Sequence, residues 1–220
     1  MKLNLIIFSA IFLSFIWTQN AGMLAKPGEK LISIRGEFNN EDIEGGSISA
    51  TSIGADYILD GNIEFNLVYT MADAKNDADN TYDFRMNGFG FGGFYHIKEN
   101  DKMPVNFKLG ATYATTEAKA DWLDDLGMTI SAKATGVGGG IYKEVYTQES
   151  YNLTAFANYV SISVESTAKA AGESATTDEF STAILFGVII RSNNFFVTPY
   201  IGRVEDDSET GIQFGILLPQ

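Results

Sequence analysis

The sequence predicts an all-β fold, a closed antiparallel up-and-down transmembrane β-barrel of about ten strands, with eight as the alternative, behind a removable leader. Three observations carry this. The first is strand-period alternation. In Leu31-Ile32-Ser33-Ile34-Arg35-Gly36-Glu37-Phe38, the residues Ile32, Ile34 and Phe38 fall on one face, and Ser33, Arg35 and Glu37 on the other. The runs 62–69 and 105–113 repeat the scheme, with charges mid-strand on one face and large apolar groups opposite. The second is the sorting of connections. Tight turns (59–62, 98–103, 147–150, 192–194) alternate with longer acidic or small-residue loops (39–46, 72–80, 117–127, 165–178), in the phase that puts both termini on the short-turn side. The third is the leader itself.

Met1-Lys2 is a short positive start, and the block from Leu3 to Trp17 is apolar except for Asn4, Ser9 and Ser14. It is shorter than the roughly 20 residues that span a bilayer. Its proportions are those of a secretory signal peptide over 1–22, with Ala21, Gly22 and Ala25 as candidate small residues and a boundary as late as 25. An N-terminal anchor helix is the alternative. The barrel domain then covers 23–220. Cysteine is absent, which removes lipidation at a cysteine and any disulfide. Past the leader, no apolar stretch reaches the about 18 residues of a membrane helix. A net charge of −13 argues against nucleic acid or an anionic lipid surface as a partner.

The strands follow in order. The first covers 30–38 and the second 47–58, after the polar loop 39–46. Asp60-Gly61 marks a tight turn into the third, which runs to Met71. A glycine-rich fourth strand covers 82–97, and Pro104 marks the exit of the turn before the fifth, 105–116. The acidic loop of Asp121, Asp124 and Asp125 leads to a sixth at 128–145 and a seventh at 151–164. An eighth covers 179–191, a ninth 195–204 and the last 209–218.

Aromatic residues gather near the strand ends. Tyr57, Phe94, Tyr95, Phe107, Tyr142, Tyr146, Tyr151, Phe195 and Phe196 lie toward the short turns. Phe38, Tyr69, Tyr82, Tyr113, Tyr159 and Phe180 lie toward the loops. Rings at both rims of an apolar band are the girdles expected at two membrane interfaces, although strands of any sheet favour aromatics. The glycine runs 88–93 and 136–140 imitate phosphate-binding loops, but no helical period follows either. They suit coiling and close packing in a narrow barrel.

With the leader, Leu31–Phe38, Phe89–Tyr95 and Thr198-Pro199-Tyr200-Ile201-Gly202 in hand, the chain resembles the small bacterial outer-membrane barrel superfamily of opacity-type proteins and the membrane domain of outer membrane protein A. The last strand resembles the assembly signal of such proteins, with Gly211, Phe214 and Ile216 in the matching places. It departs from the pattern by ending Leu217-Leu218-Pro219-Gln220 instead of on an aromatic. The resemblance implies the outer membrane of a Gram-negative bacterium, with membrane lipid and lipopolysaccharide around the wall and the barrel assembly machinery as the partner of the last strand. No particular surface partner is indicated.

Chemistry is sparse. His96 is the only histidine and falls beside the 98–103 turn, which reads as a rim position. Proteases and lipid-modifying enzymes of this size imply histidine with Asp, Glu or Ser at the other rim, so a catalytic triad there has no base. One histidine and no cysteine also argue against a transition-metal site, and no cofactor motif is present. Asp73, Asp77, Asp79 and Asp83 lack the ordered spacing of a calcium loop. Trp122-Leu123 sets an apolar pair at an outer loop tip, against a partner or the membrane rim.

Arg35, Glu37, Glu64, Arg85, Lys108, Lys133, Arg191 and Arg203 are expected to project into the lumen, where opposite signs can pair. About eight strands already fill with side chains, so the lumen is expected to be narrow or plugged. The leading functional reading is a non-enzymatic outer-membrane barrel with a structural or surface-interaction role. A narrow pore or transporter for small solutes and a secreted soluble β-sandwich are the alternatives.

Overall fold

The computed structural model describes residues 21–220 apart from 44–45, 77–82, 172 and 205–206. Residues 1–20 of the expected leader, and Tyr82, Asp77 and Asp79, lie outside the described residues. A short helix α1 (Ala21–Leu24) precedes the strands β1 (Leu31–Ile43), β2 (Gly46–Leu59), β3 (Ile63–Asn76), β4 (Phe84–Ile97) and β5 (Asn106–Lys119). A second short helix α2 (Asp121–Asp125) leads to β6 (Met128–Thr147), β7 (Asn152–Ala170), β8 (Glu173–Ser192), β9 (Phe195–Val204) and β10 (Asp207–Pro219). Each strand pairs antiparallel with its sequence neighbours, and β1 pairs with β10 from Leu31↔Pro219 to Asp42↔Ser208. The sheet is closed, with ten strands among the described residues. Closure removes the unpaired edges that a bilayer would not tolerate.

The alternation seen in sequence becomes two surfaces. Ile53, Phe65, Leu67, Phe91, Leu109 and Phe186 all point outward and are at least half exposed. In contrast, Ser33, Arg35, Glu37, Glu64 and Lys108 are buried inside. Burial of charge and exposure of grease is the inverse of a water-soluble sandwich.

The expected loops differ from what forms. β1 and β2 stay paired to Ile43↔Gly46, so the expected 39–46 loop is mostly strand. The 165–178 loop is a hairpin: β7 and β8 pair out to Ala170↔Glu173, with Ala171 at φ 49 in the turn. A membrane strand needs only about 9–11 residues, and β8 has 20. Polar, threonine-rich ends therefore stand above the membrane as ribbon, where pairing satisfies the backbone and both faces meet water. Residues 173–178 are exposed on both faces, whereas Ile184, Phe186, Val188 and Ile190 project outward below them. In the 117–127 connection, α2 folds instead of a loop. Its Leu123 is buried, the Trp122 indole N–H donates to the Asp83 carbonyl, and Gly127 turns the chain at φ 61.

Candidate functional site in the lumen

The lumen divides by height. Toward the long-loop end, the inward positions are mostly small or aliphatic, among them Ala50, Ala72, Ala114, Ala134, Val160 and Ala183. Toward the short-turn end they are ionic. Arg35 on β1 donates from Nε to both Asp56 oxygens on β2, at 3.2 and 3.1 Å, and its Nη1 is 3.9 Å from Glu37 Oε2. His96 on β4 donates from Nε2 to Glu64 Oε2 on β3 at 2.8 Å, while its Nδ1 is 3.1 Å from the Tyr142 hydroxyl on β6. The Lys108 ammonium on β5 lies 4.5 Å from the centre of the Phe94 ring.

A second polar ladder climbs the other wall. The Tyr200 hydroxyl donates to Glu37 at 2.5 Å and stands 3.2 Å from Glu209, whose Oε1 also accepts from Asn39 at 2.8 Å. Gly211 makes room for this ring, because a Cβ there would collide with the Tyr200 phenol. Outside, the Phe214 ring covers Gly36 and stacks on Phe38 with centroids 6.1 Å apart. Gly211 and Phe214 thus shape opposite faces of β10. Ile216 pairs with Ile34 on β1 and with Phe195 on β9.

Of the eight charges expected in the lumen, Arg35, Glu37, Glu64 and Lys108 are there, each at most 2% exposed. Arg85, Lys133 and Arg203 are not: they are exposed on the outward face, near the long-loop end. Arg85 pairs with Asp73 at 2.9 Å, and Lys133 faces Glu165 at 3.8 Å, both pairs in water. The reason is phase. Arg85 is in step with the outward Phe89 and Phe91, and Lys133 with Val137 and Ile141. Above the hydrocarbon, the outward face carries charge instead of grease. Arg191 ends at the short-turn mouth, where Nη1 donates to the Leu24 carbonyl at 2.9 Å.

His96 lies at the short-turn end but inside the wall, fully buried, and not on the rim. Phe94, Tyr142 and Phe196, expected in a girdle, also face inward, whereas Tyr57, Tyr95, Tyr146 and Phe195 are exposed. Asp56, Tyr200 and Glu209 escaped the sequence reading. In β2 small residues occupy both faces around Asp56, so its phase is faint. For Glu209 and Tyr200, the two-residue step from Gln213 and from Thr198 would have given the side. Among the described residues, no group of three or more acidic, histidine or cysteine side chains is arranged to hold a metal ion. Asp73 is engaged by Arg85.

α1 and the strap after it occupy the short-turn mouth. Ala21, Met23, Leu24 and Ala25 are all buried. The Lys98 ammonium donates to the Gly22 and Ala25 carbonyls at 2.9 and 2.8 Å. Burial lowers Lys98 to a pKa of about 8, opposed by the negative charges of Glu64 and Glu29.

No family model and no curated protein matches the chain. Solved structures do. The translocator domain of autotransporter NalP from Neisseria meningitidis aligns with a TM-score of 0.59 at 9% identity, over 90% of this chain and 91% of that one. The β domain of the Bordetella autotransporter BrkA aligns at 0.50 and 9% identity, over 87% of this chain and 99% of the other. Identities this low speak for the fold. Closed sheet, outward apolar belt and ionic interior together give the chain the fold of a transmembrane β-barrel, the fold it shares with these translocator domains.

Proposed function

We propose that the chain is a non-enzymatic outer-membrane barrel with a closed lumen, whose role is structural or surface-interacting. The carrying observation is the ionic belt at the short-turn end: Arg35 with Asp56, His96 with Glu64, and Lys108 against Phe94, all buried inside the wall. Such a belt leaves charges paired with each other and occupies the bore. Lipid and lipopolysaccharide surround the wall, the assembly machinery takes β10, and the projecting β7–β8 ribbon is the surface offered to partners outside. His96 serves this belt and not catalysis. Purified protein in planar bilayers is the test, with no stable single-channel conductance as the expected result. Steady, sizeable conductance overturns the closed lumen.

One observation favours a second reading, a conduit for small apolar solutes. Beside the Glu209 ladder, the inward positions above the belt include a run of alanine and branched aliphatics, among them Ala50, Ala72, Ala114, Ala134 and Val160. Solute flux that changes with Arg35→Ala but not with the outward Arg85→Ala supports this reading against the first.

A further inference from the structure

The short-turn mouth is occupied by the chain itself. Gly22 lies against the buried His96–Glu64 hydrogen bond: a Cβ on it would meet Glu64 Oε2 at 2.6 Å and would also strike the His96 ring. Only glycine lets the backbone come this close. The last carbonyls of a helix have no partner of their own, and here three backbone carbonyls of the segment are satisfied by basic side chains of the barrel. Lys98 takes those of Gly22 and Ala25, and Arg191 takes that of Leu24. Two walls of the mouth thus grip one segment. β4 leads into Lys98, and β8 carries Arg191.

The strap that follows is tied down as well. The Gly28 N–H donates to the Asp60 carbonyl at 2.9 Å, and the Gly61 N–H donates to the Glu29 carbonyl at 2.7 Å. Gly61, at φ 68, leaves room for the Lys26 carbonyl where a Cβ would collide. A cavity of about 340 Å³ remains beside the segment, bordered by Met23, Pro27, Glu99, Tyr142 and Arg191.

We propose that Ala21–Ala25 remains in the mature protein as a resident plug of the short-turn mouth, with the leader cut on the N-terminal side of Ala21. The plug deepens the closed-lumen reading and rests on it, and it moves the processing point expected at 22 upstream. A cut after 25 would remove all three carbonyls that Lys98 and Arg191 hold, and a cut after 22 would remove the Gly22 carbonyl together with its seat beside Glu64 and His96. The fit of Gly22 against His96 and Glu64 would then serve nothing.

The test starts from protein extracted from outer membranes. Intact mass and N-terminal sequencing are expected to give a first residue at or before Ala21, and a first residue at Met23 or beyond overturns the plug. The chain has no cysteine, so Leu24→Cys is a clean probe of maleimide labelling. Expected is protection relative to the exposed control Lys102→Cys, lost by at least roughly tenfold when Lys98→Met and Arg191→Met are added or when Gly22→Val forces the segment out. Unheated gel mobility checks that each variant keeps its barrel. Equal labelling at both positions in the otherwise unaltered chain overturns the proposal. A protected Leu24→Cys in a protein that still conducts supports the plug and counts against the closed lumen alone, so the two readings fail separately.

Discussion

His96 donates to Glu64 at 2.8 Å inside the barrel wall, and neither side chain has any exposure to solvent. Removing one partner leaves the other buried without its counterpart, which costs about 3–5 kcal/mol, whereas replacing both with apolar groups costs far less. Glu64→Gln and His96→Ala are therefore each expected to lower the unfolding midpoint in urea, in detergent or lipid. The double variant Glu64→Leu/His96→Leu should recover most of the loss. A double variant as weak as the sum of the singles would show that the two residues do not act as a pair.

Arg35 and Arg85 look alike in sequence and should behave oppositely. Asp56→Ala leaves the Arg35 guanidinium buried without its closest carboxylate, and a loss of about 3 kcal/mol is expected. Asp73→Ala removes the partner of the exposed Arg85, and the change should stay within about 0.5 kcal/mol. Equilibrium unfolding of the two variants side by side decides this, with equal losses as the outcome that contradicts the assigned faces.

Gly211 and Tyr200 are a lock in the last hairpin. Gly211→Val pushes the phenol off Glu37 and Glu209, and overpacking of this kind costs about 1–3 kcal/mol. Adding Tyr200→Ala to Gly211→Val should relieve the collision, so the pair loses less than the sum of the singles. Folding yield into lipid vesicles, scored by unheated gel mobility, reads the outcome.

Lys98 makes stability depend on alkaline pH. Its folded pKa is about 8 and its ordinary value 10.5, so between those values the unfolded chain holds a proton that the folded one has released. Stability from this group therefore rises with pH across that window, and below about pH 8 the charged form is held at a cost. Wild type should gain on the order of 1 kcal/mol from pH 7.5 to 9.5 relative to Lys98→Met. Parallel unfolding curves for both proteins across this range would contradict the burial of Lys98 under the plug.

The sheet and its two faces were legible in sequence because strand period is local. Ile32, Ile34 and Phe38 announce an outward face without reference to any other strand. The strand ends were not legible. Thr167 and Thr176 look like loop residues, yet their hydroxyls lie 3.3 Å apart in a standing ribbon, because pairing continues wherever a neighbouring strand is present. Arg85 was misplaced because glycines on the inward face of β4 mark no phase, and only the outward Phe89 and Phe91 do.

From the order of residues alone came the membrane wall: alternation decides which atoms meet hydrocarbon, and no distant partner is needed for that. Closure decided the rest. Arg35 meets Asp56 across the β1–β2 hairpin, but Tyr200 reaches Glu37, 163 positions away, and Asn39 reaches Glu209, 170 away, only once β1 and β10 are joined. The seat of Gly22 beside Glu64 and His96 is of the same kind. It depends on the width of the finished mouth, a property of ten strands together that no single segment carries.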